Sequence, residues 1–410
     1  MDGNVRRISV AFDALGRRQR ITSHDDAAVD EGDIINEVTM TYNHFGQLVA
    51  QYQSHSGAVD EASSPKVMYE YEDGSDNTIR PVSITYPNGR VVMYDYGPTD
   101  GLHDAASRVA ALVDDDDTTL VEYEYLGLGT AVEVNYPEPN VKLTLADLAN
   151  TNDPDTGDIY SGLDLFGRTK DLRWHNATAN EDVVRLLYGY DQASNRLWKQ
   201  DLVATSLNQS FDELYSYDGV HRLKGMGRGQ LVFSSSQLST TNPQPSFLDP
   251  QLFAQCWSLD ATNNWSEFKE ANTGGSWTLD QSRATNLANE ITSISNTVGA
   301  AWAAPSHDAA GNMTTIPQPA DPTNGFSATY DAWNRLVKLV DDATNDVVLE
   351  NEYDGRTFRT VQITGSNPSS LVTRHFYYSA SWQVESRTKV SGVVKVECLT
   401  VSRRGGPACI

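Results

Sequence analysis

A short motif recurs along the chain at a nearly fixed period, and that period limits the fold more than any other feature. It runs aromatic, Asp, two variable residues, a turn residue, then Asn or Arg. The clear copies are Phe12-Asp13-Ala14-Leu15-Gly16-Arg17, Tyr42-Asn43-His44-Phe45-Gly46-Gln47 and Tyr190-Asp191-Gln192-Ala193-Ser194-Asn195-Arg196. Three more are Tyr217-Asp218-Gly219-Val220-His221-Arg222, His307-Asp308-Ala309-Ala310-Gly311-Asn312 and Tyr330-Asp331-Ala332-Trp333-Asn334-Arg335. Weaker copies start at His103, Leu163, Leu259 and Tyr353, and Thr285-Asn286-Leu287-Ala288-Asn289-Glu290 fits by spacing alone. From Leu163 to Tyr190 is 27 residues, and 27 more reach Tyr217; from Leu259 the steps are 26, 22, 23 and 23, ending at Tyr353. A unit of about 25 residues leaves room for two strands and two turns, so each unit is read as one β-hairpin. A hairpin cannot bury a face alone, and stacked neighbours supply the cover.

The motif residues have the chemistry of a hairpin turn. Gly16, Gly46, Gly167, Ser194, His221, Asn263, Gly311 and Asn334 each lie four residues after the aromatic position, where Gly and Asn tolerate a positive φ. The Asp that follows the aromatic accepts backbone N–H bonds from residues further on, closing an Asx-type turn. The aromatic ends one strand, and the Arg or Asn begins the next. The flanks alternate as half-buried strands do: Met68-Tyr69-Glu70-Tyr71 and Val121-Glu122-Tyr123-Glu124-Tyr125 place tyrosines on one face and carboxylates on the other. Pro87-Asn88-Gly89, between Val82–Tyr86 and Arg90–Tyr94, marks the plainest hairpin.

Composition narrows the class. The 410 residues carry 31 basic and 55 acidic side chains, a net charge of −24. That balance argues against a nucleic-acid partner and against docking on an anionic membrane surface. No run is long and apolar enough for a membrane span. Apolar residues are 39%, a thin core for the length, while 19 tyrosines and 29 glycines lean toward β-structure. Three cysteines exclude a disulfide-built scaffold. Met1 to Arg20 lacks the apolar stretch of a secretory signal.

The motif copies resemble those of the RHS, or YD-repeat, family, whose pattern is Tyr-Asp-x-x-Gly followed by Arg or Asn-Arg. Phe12–Arg17, Tyr42–Gln47, Tyr190–Arg196, His307–Asn312 and Tyr330–Arg335 carry the resemblance, which covers roughly residues 8 to 390. It implies a long sheet that spirals into a hollow shell. In bacterial toxin complexes such shells enclose a C-terminal toxin; surface relatives serve adhesion or contact-dependent competition, and YD repeats have been linked to carbohydrate binding. It also implies an extracellular or cell-surface setting. Toxin-bearing relatives have a core-associated segment with an Asp-Pro-x-Gly motif and an aspartate-based self-cleaving site, which this sequence lacks. Its Asp153-Pro154, Asp249-Pro250 and Asp321-Pro322 pairs lack the flanking residues and read as turns.

The repeats divide into 1–235 and 279–390, with a polar loop and Trp-rich insertion at 236–278 and an atypical tail at 391–410. Within the insertion, Phe247, Leu248, Leu252, Phe253, Cys256 and Trp257 fit either a short helix or added strands. The tail, with Cys398, Cys409 and an Arg-Arg-Gly-Gly-Pro run, reads as a piece of a longer protein cut or frame-shifted near residue 390, or as a frayed natural end.

Candidate chemistry is sparse. Asp114-Asp115-Asp116-Asp117 has carboxylates for calcium but not the spaced ligands of a dedicated loop, and reads as a solvated turn. Asp341 to Asp346 reads the same way. No histidine has zinc spacing. There is no Gly-x-Ser-x-Gly elbow and no phosphate loop. Gly225-Met226-Gly227-Arg228-Gly229 reads as an outgoing strand. Trp257, Trp265 and Trp277 suit packing between hairpins, or alternatively a sugar-stacking face.

The expectation is an all-β array of YD-repeat hairpins with no catalysis and no cofactor, forming part of a shell whose partner is a toxin or effector cargo. The alternative is a surface module that binds a cell-surface glycan. The structural positions are Phe12, Asp13, Gly16, Tyr42, Gly46, Tyr190, Asp191, Tyr217, Asp218, Asp308, Gly311, Tyr330, Asp331 and Asn334.

Overall fold

A computed structural model describes residues 3–145, 162–233, 245–248, 252–272, 275–365, 370–390, 393–401 and 407–409. Among them the strands form a sheet of 20, a sheet of ten and a two-stranded pair. Among the described residues helix is confined to Leu102–Ala105 and Leu202–Ser206. The second starts where the Asp201 carboxylate caps Ala204 N–H.

Strand pairing is local. Ile34–Tyr42, for example, pairs antiparallel with Arg18–His24 before it and Leu48–Ser54 after it. Motif turns sit at register shifts: Phe12 opposes Arg18, Tyr190 opposes Arg196, and Tyr330 opposes Leu336. This is the bulge of a three-residue hairpin loop, in which a type I turn is followed by one residue of positive φ. Gly16, Gly46, Gly167, Ser194, His221, Asn263, Gly311 and Asn334 all have φ between 60° and 87°. At Pro87-Asn88-Gly89, Gly89 alone of the pair has positive φ, 93°. That hairpin therefore uses the same bulged turn as the motif copies.

The chain divides into two compact units. One comprises 1–95, 113–118 and 305–410; the other comprises 96–112 and 119–304. In the first, Ile21, Val38, Val67, Ile84, Val92, Val361 and Val384 are buried. In the second, Leu112, Val121, Tyr123, Val132, Trp198 and Phe268 are. The alternating segment delivers its pattern: Val121 and Tyr123 are buried, Glu122 and Glu124 exposed. Elsewhere the core is thin. Every residue of Asp171–Asn176, in one unit, and of Leu336–Asp341, in the other, is half-buried.

Of the two options for the Trp-rich span, strands form: Phe253–Leu259 pairs with Trp265–Ala271 around a motif turn at Asp260. The Ser234–Gln244 loop, Asp153-Pro154 and Asp249-Pro250 lie outside the described residues. Beyond residue 390 the side-chain pattern decays but pairing continues, with Val393–Val401 antiparallel to Gln383–Val390. Backbone bonds do not require alternation; Val394 and Val396 stay exposed.

Candidate functional site

The Asp or Asn that follows the aromatic position is the hub of the motif turns. The Asp13 carboxylate accepts Leu15 N–H and Arg17 N–H through one oxygen, both at 2.9 Å, and Arg17 Nε through the other at 2.6 Å. Asp218 repeats the set with Val220, Arg222 N–H and Arg222 Nε. Asp331 does so with Trp333, Arg335 N–H and Arg335 Nε. Where Asn replaces Arg, its amide makes the third bond, as Asn195 does to Asp191 and Asn312 to Asp308. Asn43 takes the hub position of the second turn and accepts Phe45 and Gln47 N–H. These bonds favour the charged carboxylate. The Arg17 backbone N–H leads in holding Asp13 below its ordinary range, and the Asn264 side chain leads in bringing Asp260 down to about 2. The Thr285 copy has the full arrangement: Asn286 accepts Ala288 and Glu290 N–H, and Asn289 has φ 63°. The His103 copy is distorted by the helix Leu102–Ala105, and there the Asp104 carboxylate binds Asp100 N–H instead.

The residue four after the hub also reaches the next turn, a role that sequence reasoning did not assign. Arg168 Nη1 donates to the Asp191 carbonyl at 3.0 Å and Arg222 Nη1 to the Asp260 carbonyl at 2.7 Å. Arg335 Nη1 donates to the Asp354 carbonyl at 2.9 Å. Asn264 and Asn312 reach the side chains of Asn289 and Asn334. The guanidinium groups lie over the following aromatic: Arg17 on Tyr42, Arg168 on Tyr190 and Arg335 on Tyr353, at 4.5 to 4.9 Å from the ring centres.

The aromatics close the ladder from the other side. Tyr42, Tyr190, Tyr217 and Tyr330 donate their hydroxyls to the carbonyls of Arg18, Thr169, Arg196 and Met313, each the fifth residue after the preceding hub. Tyr71, Tyr353 and Tyr378 do the same to Leu48, Leu336 and Arg359. Phe12, on the first hairpin, has no hydroxyl to place and is 58% exposed, so it departs from the packing expected of the aromatic position.

In the unit that holds both chain ends, a second polar construction joins residues more than 290 apart. Gln51 and Gln53 both donate to the Tyr378 carbonyl at 2.8 Å, and Gln53 Oε1 accepts Tyr378 N–H. Asn36 donates to the Tyr353 carbonyl, and Glu385 accepts Asn88 N–H. Asn36, Gln51, Gln53 and Glu385 are at most 2% exposed. The turn at Gly355 fits so closely that a Cβ there would clash with the Ile21 side chain. At the edge of this seam His55 Nδ1 and His375 Nδ1 are 3.1 Å apart, and the His55 ring stacks on Tyr377. Burial, then the neighbouring His375, Arg387 and Arg356, bring the His55 imidazole down to about 3.

The remaining candidates resolve into structure. Asp114-Asp115-Asp116-Asp117 is a hairpin turn with φ 66° at Asp117, and Asp114 is paired with Arg90 at 2.6 Å. Asp341 caps its own turn through Ala343 and Thr344 N–H, and Asp321 does so through Thr323 N–H. Leu223–Gly229, with its alternating glycines, is a strand. Trp257 and Trp265 meet edge to face at 61°, and Trp277 is exposed.

No family model matches the chain, and no curated protein matches it in sequence. Solved structures do. The Photorhabdus luminescens Tc holotoxin pore is matched over 96% of this chain at a TM-score of 0.60 and 11% identity. The TcdB2–TccC3 crystal structure is matched over 96% at 0.61 and 11%, and its form without the hypervariable C-terminal region over 96% at 0.62 and 12%. This chain spans about a fifth of those chains, 20% in each case. The likeness establishes the fold: an all-β, RHS-like array of antiparallel hairpins.

Proposed function

We propose that the chain is a non-catalytic wall segment of an RHS-type β-shell that encloses or presents a toxin or effector domain outside the producing cell. The observation that carries this reading is the turn-to-turn ladder. Each hub fixes its own turn, while the residue four later and the next tyrosine fix the following one. A structure that adds the same bonds with every unit extends as a wall and spends its distinctive residues on itself. Strands half-buried along their whole length suit a single-layer wall better than a packed sandwich. The matched Tc toxin structures support the same reading.

The test is protease protection of the full-length protein purified from its source. The account expects a fragment that resists digestion while the wall is folded and is degraded once denaturant opens it. Equal digestion of every non-wall segment before and after denaturation would refute enclosure.

A further inference from the structure

Within the unit of residues 96–112 and 119–304, three neighbouring strands carry a cluster that the ladder does not use. Trp257 is registered against Phe268, and Phe268 against Gln281. Arg283, two residues beyond Gln281, shares its face. Trp265 stacks on Phe268 at 5.4 Å and meets Trp257 at 6.1 Å. The Arg283 guanidinium lies 5.0 Å from the Trp265 ring, 5.7 Å from Phe268 and 5.9 Å from Trp302. Its Nη2 donates to Gln281 Oε1 at 2.8 Å. Among the described residues no carboxylate is paired with it.

Three buried polar atoms in this cluster have no partner: Trp257 Nε1, Gln281 Nε2 and Arg283 Nε. All three are donors, and Gln281 is fully buried. Buried donors without acceptors are uncommon in native proteins and call for an explanation. A group that reached these donors would have to accept hydrogen bonds, and the guanidinium favours one with negative charge. Trp265 is 41% exposed, so the cluster meets solvent at an aromatic ring.

We propose that Trp257, Gln281 and Arg283 form a binding site for an aromatic carboxylate, whose ring stacks on Trp265 and whose oxygens take the three free donors. The same chemistry is offered by a small aromatic acid and by the carboxylate end of a peptide with a terminal aromatic residue. The site stands independently of whether the wall encloses cargo.

Tryptophan fluorescence of the full chain tests it, with benzoate as the small-acid probe and N-acetylphenylalanine as the peptide-end probe. Benzamide is the uncharged control. A saturable change with at least one acid, absent with benzamide at the same concentrations, is expected, and the tighter acid identifies the source. Arg283→Gln should weaken binding at least tenfold, and Gln281→Met several-fold, with the circular dichroism of the wild type retained. Equal titration by benzoate and benzamide, no saturable change with either acid, or wild-type affinity in folded Arg283→Gln would overturn the site. If Arg283→Gln does not fold, the acid-against-amide comparison on the wild type decides.

Discussion

Acid should loosen the seam before it touches the turn ladder. In the unfolded chain His55 titrates near 6.5; in the fold its imidazole is held down to about 3, so it stays neutral through mild acid. Between those values the unfolded state binds more protons, and stability falls as pH falls. At pH 5 the unfolded side chain is almost wholly protonated and the folded one is not. The difference is RT ln(1 + 10^1.5), about 2 kcal/mol, and hardly depends on how far below 5 the folded value lies. His375 is lowered by burial and by Arg387 and Lys389, and His24 by burial and Arg7, so both add in the same direction. The turn carboxylates Asp13, Asp218, Asp260 and Asp308 are also lowered, but a lowered carboxylate loses its contribution only below its ordinary range, outside this window. Urea unfolding at pH 7.5 and 5.0, on wild type and His55→Gln, is the assay. Between the two pH values the variant should lose about 2 kcal/mol less than the wild type. Parallel losses in the two proteins would refute the assignment of a neutral buried His55.

Gly311 has φ 87°, so Gly311→Val should destabilise by about 1–3 kcal/mol in thermal unfolding, while Gly311→Asn, the residue used at the matching position 334, should cost less. Tyr190→Phe deletes the hydroxyl bond to the Thr169 carbonyl and should cost about 1 kcal/mol by urea denaturation. Arg335 and Asp331 are a buried pair, with side chains 7% and 2% exposed, so Arg335→Met should cost about 3–5 kcal/mol. Arg222→Met, at a pair 27% and 25% exposed, should cost about 1 kcal/mol or less; similar losses in the two variants would show that burial does not grade the ladder.

The turns were legible in the sequence because each is settled within five residues, by an Asx acceptor and one residue of positive φ. Even the Thr285 copy, recognised by spacing alone, makes the same bonds, since Asn286 and Asn289 can do what Asp and Gly do elsewhere. The bridging role of Arg168, Arg222 and Arg335 was not legible. It depends on two turns lying side by side, and the motif shows only one at a time. The recurrence of Arg or Asn at the fourth place was the available signal. The seam was hidden more deeply. Period-two alternation sends Gln51 and Gln53 toward water, yet both are buried because Tyr378, more than 300 residues later, supplies its backbone groups. Gln281 is a similar case, a polar side chain in a strand that ends up fully buried.

The most direct measurement is a cryo-electron microscopy reconstruction of the full-length protein at a resolution that shows side chains. The account predicts a single-layer wall around a hollow interior. Its turn tips should stand in register, each motif tyrosine hydroxyl on the carbonyl five residues after the preceding hub. A two-layer sandwich with an apolar filling, or hairpin turns out of register with their neighbours, would contradict it.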